Sequence, residues 1–194
     1  MPRLTAGAGD ALVVVDLQVD FCPGGALAVP WGDEVVAPVN RLLALPGWFR
    51  VATRDWHPPG HVSFKAQGGL WPPPCVAGAP GAECHPGMDA SKVDLVVSKA
   101  TRRDADAYSG FQGTTLAAEL KRRGAGRLFV CGLATDYCVR ATALDGRREG
   151  LEVVVVEDAV RAVDVQPGDG ERALREMRGA GCVMARSGDI AAQT

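Results

Sequence analysis

Four side chains able to do nucleophilic chemistry stand at the ends of apolar runs. Asp16 closes ALVVVD, Asp55 closes FRVATRD and Lys99 closes DLVVSK, while Cys138 lies just past RLFVCGL on the turn ATDYCV. A thiol becomes a strong nucleophile once a neighbouring base takes its proton, and a carboxylate with an ammonium beside it can arrange that transfer. In ATDYCV, Thr135 or Asp136 is placed to cap a helix, which puts Cys138 in the first turn. There the backbone N–H groups and the positive end of the helix dipole favour a thiolate, and an ammonium at Lys99 lowers the thiol pKa further. Each of these residues alone reads equally well as a polar strand end exposed to water. The coincidence of all of them at strand ends does not.

A second cluster, DWHPPGHVSF, spans residues 55–64. In extended backbone Asp55 and His57 project to one side, and His61 follows across a Pro-Pro-Gly turn. Two imidazoles and a carboxylate this close form a candidate site for a first-row divalent metal; the bland alternative is a hydrogen-bonded loop. Of the chain's three histidines, the remaining one, His85 in ECHPGMD, reads as a loop brace.

The elements that must position these residues follow from the hydrophobic pattern. Valine-rich, nearly continuous apolar runs recur at 11–16, 49–55, 94–99, 127–133, 152–158 and 182–187. Runs without polar alternation suit strands buried on both faces of a parallel sheet. Helical stretches lie between most of them. Residues 33–46 carry Val35, Val39 and Leu42 on one stripe, with Pro38 a potential bend, and residues 115–123 pair Leu116 with Leu120 and stop at Gly124. Residues 136–149 end at Gly150, and residues 169–180 follow a Pro-Gly-Asp start. This alternation predicts a single α/β domain over residues 1–194, three layers α/β/α around a mostly parallel six-stranded sheet. In such sheets ligands bind beyond the carboxyl ends of the strands, where the reactive residues fall. The stretch from Pro58 to Met88 breaks the rhythm with seven prolines and six glycines, and reads as a long ordered functional loop. The first ten and last six residues are expected to fray.

Composition narrows the function classes. The net charge is −2 and no basic stripe exists, so nucleic acid is not an expected partner. The segment RGAGR and the pair Arg147, Arg148 read as solvated helix-end surface. No apolar run is long enough for a membrane span or signal-peptide core, which predicts a cytoplasmic protein without a membrane partner. Six scattered cysteines without C-x-x-C pairs are expected to be reduced, Cys131 and Cys182 packing as small hydrophobes.

Taken together these motifs resemble the nicotinamidases (pyrazinamidases) of the isochorismatase-like cysteine hydrolase superfamily. The resemblance is carried by VVVDLQVDFCPGGALAV, TRDWHPPGHVSF, WPPPCV, the strand ending in Lys99, DAYSGF and GLATDYCVRATALDG, in register over residues 11–165. It implies an isochorismatase-like hydrolase fold and deamidation of nicotinamide through a thioester. Cys138 would be the nucleophile in a triad with Asp16 and Lys99. Backbone N–H groups of Ala134 and Cys138 would meet the oxyanion, and the Leu133–Ala134 peptide would be cis. Phe21, Trp71 and Tyr108 match positions around the substrate ring. Asp55 and His57 match ligands of a divalent metal (zinc, iron or manganese) that grips the pyridine nitrogen. The implied partner is a small-molecule amide, a homo-oligomer is compatible with the chain, and the reaction would feed NAD salvage.

The sequence departs from the family at three places. Pro74 stands where a metal-binding His usually precedes the Cys of WPPPCV, so the expected site is a rearranged one built from Asp55, His57 and His61. Val19 replaces a usual Asn near Asp16, and Ala100 replaces a common Gly after the Lys. Because of Pro74, two other readings stay open: hydrolysis of a different small amide or carbamoyl compound, and a non-catalytic binder on the same fold. The intact set Asp16, Lys99 and Cys138 speaks against the second.

Overall fold

The computed structural model describes residues 4–193. Its strands are β1 (Leu4–Ala6), β2 (Asp10–Val15), β3 (Phe49–Asp55), β4 (Leu95–Lys99), β5 (Arg127–Leu133), β6 (Glu152–Arg161), β7 (Val183–Ala185) and β8 (Ile190–Ala192). The helices are α1 (Val36–Leu43), α2 (Leu116–Arg122), α3 (Arg140–Arg148) and α4 (Asp169–Gly179). All six expected strands are present and form one sheet in the order β4-β3-β2-β5-β6-β7, every neighbour parallel.

Continuous apolar runs form the strands because both sheet faces are covered. All of β2 is buried, with Leu12 and Val14 packed on one face and Ala11, Val13 and Val15 on the other. The first face is covered by α1, through Val39, Leu42 and Leu43, and by Cys75, Ala82 and Met88 of the long loop. The second is covered by Leu116 and Leu120 of α2, Ala143 of α3 and Met177 of α4. At roughly 1.5–3 kcal/mol for each fully buried Val or Leu, these two apolar layers dominate the stability of the fold. Pro38 does not bend α1: it sits in the first turn, where its missing N–H has no intrahelical acceptor to lose.

The topology creates the crevice. The chain leaves β2 toward β3 and β4, then returns to β5 on the other side of β2. The segments after β2 and β5 therefore diverge at the switch point, which is where open parallel sheets bind ligands. Gly132 near the end of β5 has φ +106, and a Cβ there would lie 2.1 Å from the Val15 carbonyl oxygen. Only glycine lets the two backbones approach so closely.

Two expectations about the surface are corrected. The described termini do not fray: β1 pairs in parallel with β8, so residues 4–6 and 190–192 form a small sheet, while residues 1–3 and 194 lie outside the described residues. Nor is RGAGR merely solvated. Arg127 forks onto Asp10 at 2.8 and 2.9 Å and donates to the Thr5 carbonyl, tying the small sheet to the large one. Arg123 lies over the Phe49 ring, and Arg147 donates to the Leu151 carbonyl at 2.7 Å. No helix among the described residues is long and apolar enough to cross a membrane. All six cysteines are free, with Cys131 and Cys182 buried in the two core layers.

Candidate active site

Asp16, Asp55, Lys99 and Cys138 meet at the carboxyl end of the sheet, and all are buried. They are not water-exposed strand ends. Lys99, only 1 % exposed, stands at the centre. Its ammonium donates to Asp55 Oδ1 at 2.5 Å, to the Ala107 carbonyl at 3.1 Å and to Cys138 Sγ at 3.4 Å. Asp16 Oδ2 lies 2.9 Å from the same nitrogen, yet no donor among the described residues is aligned to hydrogen-bond it. The three N–H bonds of the ammonium are already engaged, so Asp16 Oδ2 feels the charge and keeps a free lone pair. Oxygens of both carboxylates and Cys138 Sγ lie within 4.8 Å of one another.

Asp16 follows directly on β2 with φ +45, and its backbone and side chain are pinned to β3. The Thr53 hydroxyl donates to Asp16 Oδ1 at 2.7 Å, and Asp16 N–H donates to the Thr53 carbonyl at 3.2 Å. Val19, at the position that departs from the family, takes no part in holding Asp16: its N–H donates to Glu83 instead. Gln18 is fully buried and clamps Asp55, accepting from Asp55 N–H at 2.8 Å and donating to the Asp55 carbonyl at 2.9 Å. Thr53 and Gln18 were missed by the sequence reading. The available signal was a polar residue at an inward strand position two before Asp55, and a Gln between two aspartates.

Cys138 sits in a π-helical turn, Thr135–Val139, that runs into α3. The turn has no side-chain cap, contrary to expectation. Asp136 instead accepts from the N–H groups of Val163 and Asp164 at 2.9 Å each, fixing the segment after β6. The Leu133–Ala134 peptide is cis. Tyr137 and Val139 N–H groups both donate to the Ala134 carbonyl, straddling Cys138.

The electrostatics revise the expected resting thiolate. Burial pushes the Cys138 thiol well above its ordinary range; Lys99 opposes this, but Asp16 and Asp55 reinforce it. Burial, the largest of these effects, favours the neutral thiol, so attack calls for a base. Burial likewise works against the Lys99 charge, but Asp16 and Asp55 hold the ammonium well above its usual range. Asp55 is pushed up to about 7 by burial, against the pull of Lys99 and with the push of Asp16.

Beside this cluster lies a largely apolar cavity. Phe21, Trp71 and Tyr108 all line it, together with Leu27, Val29 and Tyr137. Trp71 donates from its indole N–H to the Tyr108 hydroxyl at 3.1 Å and meets the Tyr137 ring edge-on at 5.2 Å. Tyr137, adjacent to Cys138, was not singled out from the sequence.

His57 lines this cavity and His61 packs beside it, both buried, with ring centroids 4.4 Å apart. His57 Nδ1 lies 2.8 Å from the Pro74 carbonyl, so this nitrogen carries the proton and Nε2 keeps its lone pair. Burial first, and then the Lys99 charge, lower the His57 pKa, although the Pro74 hydrogen bond opposes them, so the ring stays neutral. Pro74 thus brings no ligand side chain but orients a neighbouring imidazole. His61 Nδ1 faces the Ser63 hydroxyl at 2.7 Å and Nε2 the Ala105 carbonyl at 3.1 Å. Asp55 Oδ2 stays 4.0 Å from His57 Nε2, and the carboxylate that closes with both histidines is that of Asp106, absent from the expected set. Two imidazoles with a carboxylate within 4.8 Å of one another fit a divalent cation. His85 accepts from Gly87 N–H at 3.1 Å and braces its own loop.

The isochorismatase domain pattern matches residues 10–189 of this chain. The chain belongs to the isochorismatase family. Among curated relatives of this isochorismatase-family protein, the nicotinamidase of Escherichia coli is 39% identical over 90% of this chain and 93% of its own length. Among solved structures, PnC1 from L. infantum in complex with nicotinate superposes with a TM-score of 0.94 at 38% identity, covering 100% of both chains. Pyrazinamidase of Pyrococcus horikoshii in complex with zinc does so with a TM-score of 0.87 at 49% identity, covering 92% of this chain and 99% of its own.

Proposed function

We propose that this protein hydrolyses nicotinamide to nicotinate and ammonia through a thioester on Cys138. The observation that carries the reading is Lys99, hydrogen-bonded to Cys138 Sγ and 2.9 Å from an Asp16 oxygen with a free lone pair, under a cavity walled by aromatic rings. The nicotinamidase relative and the nicotinate-bound neighbour identify the amide that such a cavity takes.

Phe21, Trp71, Tyr108 and Tyr137 hold the flat ring and exclude water. Asp16 Oδ2 takes the thiol proton as Sγ attacks the carboxamide carbon. The developing oxyanion is met by the Ala134 and Cys138 N–H groups. Asp16 then delivers its proton to the amide nitrogen, the C–N bond breaks, and ammonia leaves a Cys138 thioester. A water molecule, its proton taken by Asp16, attacks the thioester; nicotinate departs and the proton returns to sulfur. Lys99 stays charged throughout, balancing whichever of Asp16 and Cys138 carries the negative charge.

His57 and His61, with a carboxylate, would hold a divalent cation beside this cavity. Such an ion supplies a Lewis-acidic anchor for a substrate lone pair such as a pyridine nitrogen. The zinc-bound neighbour supports this assignment. Nicotinate release would supply NAD salvage.

Ammonia release from nicotinamide by the wild type and by Cys138→Ala tests the assignment. Turnover by the wild type, with a thioester-trapped enzyme seen by mass spectrometry, is expected. Turnover that survives in Cys138→Ala would refute the nucleophile.

A further inference from the structure

The loop between β6 and α4, residues 162–168, forms one wall of the aromatic cavity through Val163. Its middle is held from the turn that carries Cys138. Asp136 Oδ1 accepts from Val163 N–H and Oδ2 from Asp164 N–H, each at 2.9 Å. Two successive N–H groups aimed at one carboxylate make an anion-binding nest, and Asp164 takes the left-handed backbone such a nest needs, with φ +51. We propose that Asp136 is a positioning residue for substrate selection: it locks the Val163 wall so that the cavity closes on a single flat ring. The inference rests on the nicotinamide reading above and deepens it by assigning what limits the size of the ring.

Among the described residues, no other hydrogen bond ties residues 163–168 to the Cys138 turn. The rest stay inside the loop or reach α4. Gln166 N–H donates to Asp169 Oδ2 at 2.8 Å, Gly170 N–H to Asp164 Oδ1 at 2.7 Å, and Arg172 to the Pro167 carbonyl at 3.3 Å. Those bonds join the loop to the start of α4 and leave its distance from Cys138 unset. Asp136 sets that distance, because it stands two residues before Cys138 and holds the loop by two charge-assisted bonds. Val163 is only half-buried, so apolar packing by itself holds it weakly.

The Cys138 turn does not depend on these two bonds. Tyr137 and Val139 N–H groups donate to the Ala134 carbonyl at 3.1 Å each, and Lys99 donates to Cys138 Sγ at 3.4 Å. Removing the Asp136 carboxylate therefore releases the wall and leaves the reacting sulfur in place. A released wall binds ground state and transition state less well alike, which raises KM and spares kcat. It also stops excluding a wider ring, because rejection of an oversized ligand depends on a wall that cannot yield.

The test compares nicotinamide with quinoline-3-carboxamide, the same amide on a fused second ring, in wild type, Asp136→Ala, Asp136→Asn and Val163→Ala. Circular dichroism confirms that each variant is folded. Asp136→Ala should raise KM for nicotinamide about tenfold or more, change kcat less than about threefold, and shift kcat/KM about tenfold or more toward the bicyclic amide. Asp136→Asn keeps one acceptor and should fall between it and wild type. Val163→Ala should shift the preference the same way, and the double variant should shift it by less than the two single effects combined, since both act through one wall. Should Asp136→Ala not fold, Asp136→Asn decides by the same ratios. Unchanged KM and preference, or an equal loss on both amides carried by kcat, would overturn the proposal. Nicotinate affinity by calorimetry separates it from the reading it rests on. A wild type that binds nicotinate without hydrolysing nicotinamide refutes deamidation, and the variants are then judged on a loss of about tenfold or more in that affinity. A wild type that neither binds nor hydrolyses removes both.

Discussion

Lys99→Met removes the ammonium while keeping most of the side-chain volume, and its consequences can be worked from the structure. Asp16 and Asp55 would remain buried with oxygens within 4.8 Å of each other and no counter-ion, and the Ala107 carbonyl would lose its donor. Breaking one partner out of a buried ion pair costs about 3–5 kcal/mol, and an unsatisfied buried carbonyl about 1–3 kcal/mol, with strong overlap between them. A loss of about 4 kcal/mol at pH 8 is expected, or roughly 8–16 °C in Tm for a chain of this size. The loss must depend on pH. Asp55 already has a folded pKa of about 7 against an ordinary 3.8. Without Lys99 the Asp55 carboxyl is held protonated to still higher pH. A carboxyl whose folded pKa is raised binds its proton more tightly in the native state, so stability falls as pH rises from the unfolded value through the folded one. The deficit of the variant against wild type should therefore be smallest near pH 5 and largest at pH 8 and above. Urea unfolding followed by tryptophan fluorescence at pH 5, 6.5 and 8 measures it, with ammonia release expected to be abolished at each pH. A deficit below about 1 kcal/mol at pH 8, or one that grows on acidification, would refute the account of Lys99 as the counter-charge of two buried carboxylates.

Two further predictions bear on the positioning of the triad. Thr53→Val removes the hydroxyl that donates to Asp16 Oδ1 at 2.7 Å; a hydrogen bond to a charged group contributes about 1.5–3 kcal/mol, so kcat should fall about 10–100-fold with KM little changed, by steady-state kinetics. Gly132→Ala places a Cβ 2.1 Å from the Val15 carbonyl oxygen at φ +106, and thermal unfolding should show a loss of at least about 3 kcal/mol or failure to fold.

The strands and their parallel arrangement were legible in the sequence because both sheet faces are buried, and that burial writes itself as uninterrupted valine runs such as those of β2 and β6. The positions of Asp16, Asp55, Lys99 and Cys138 were legible for a related reason: strand length is set by the apolar run, so the residue that ends it must stand at the mouth of the crevice. What the sequence could not reveal is which groups come together across strands. Thr53 holds Asp16 from the neighbouring strand, Gln18 clamps the Asp55 backbone, and Asp136 ties down the segment after β6 instead of capping the Cys138 turn. The upward push on the Cys138 thiol was hidden for the same reason, because local sequence shows the helix turn and the lysine but not how deeply the group is buried beside two carboxylates. Asp106 shares no spacing with His57 and His61, and only the return of the chain through β4 brings its carboxylate to theirs. Local pattern placed Cys138 and the sheet that carries it. The charge state of its thiol, and the company it keeps, are long-range electrostatics that exist only in the folded chain.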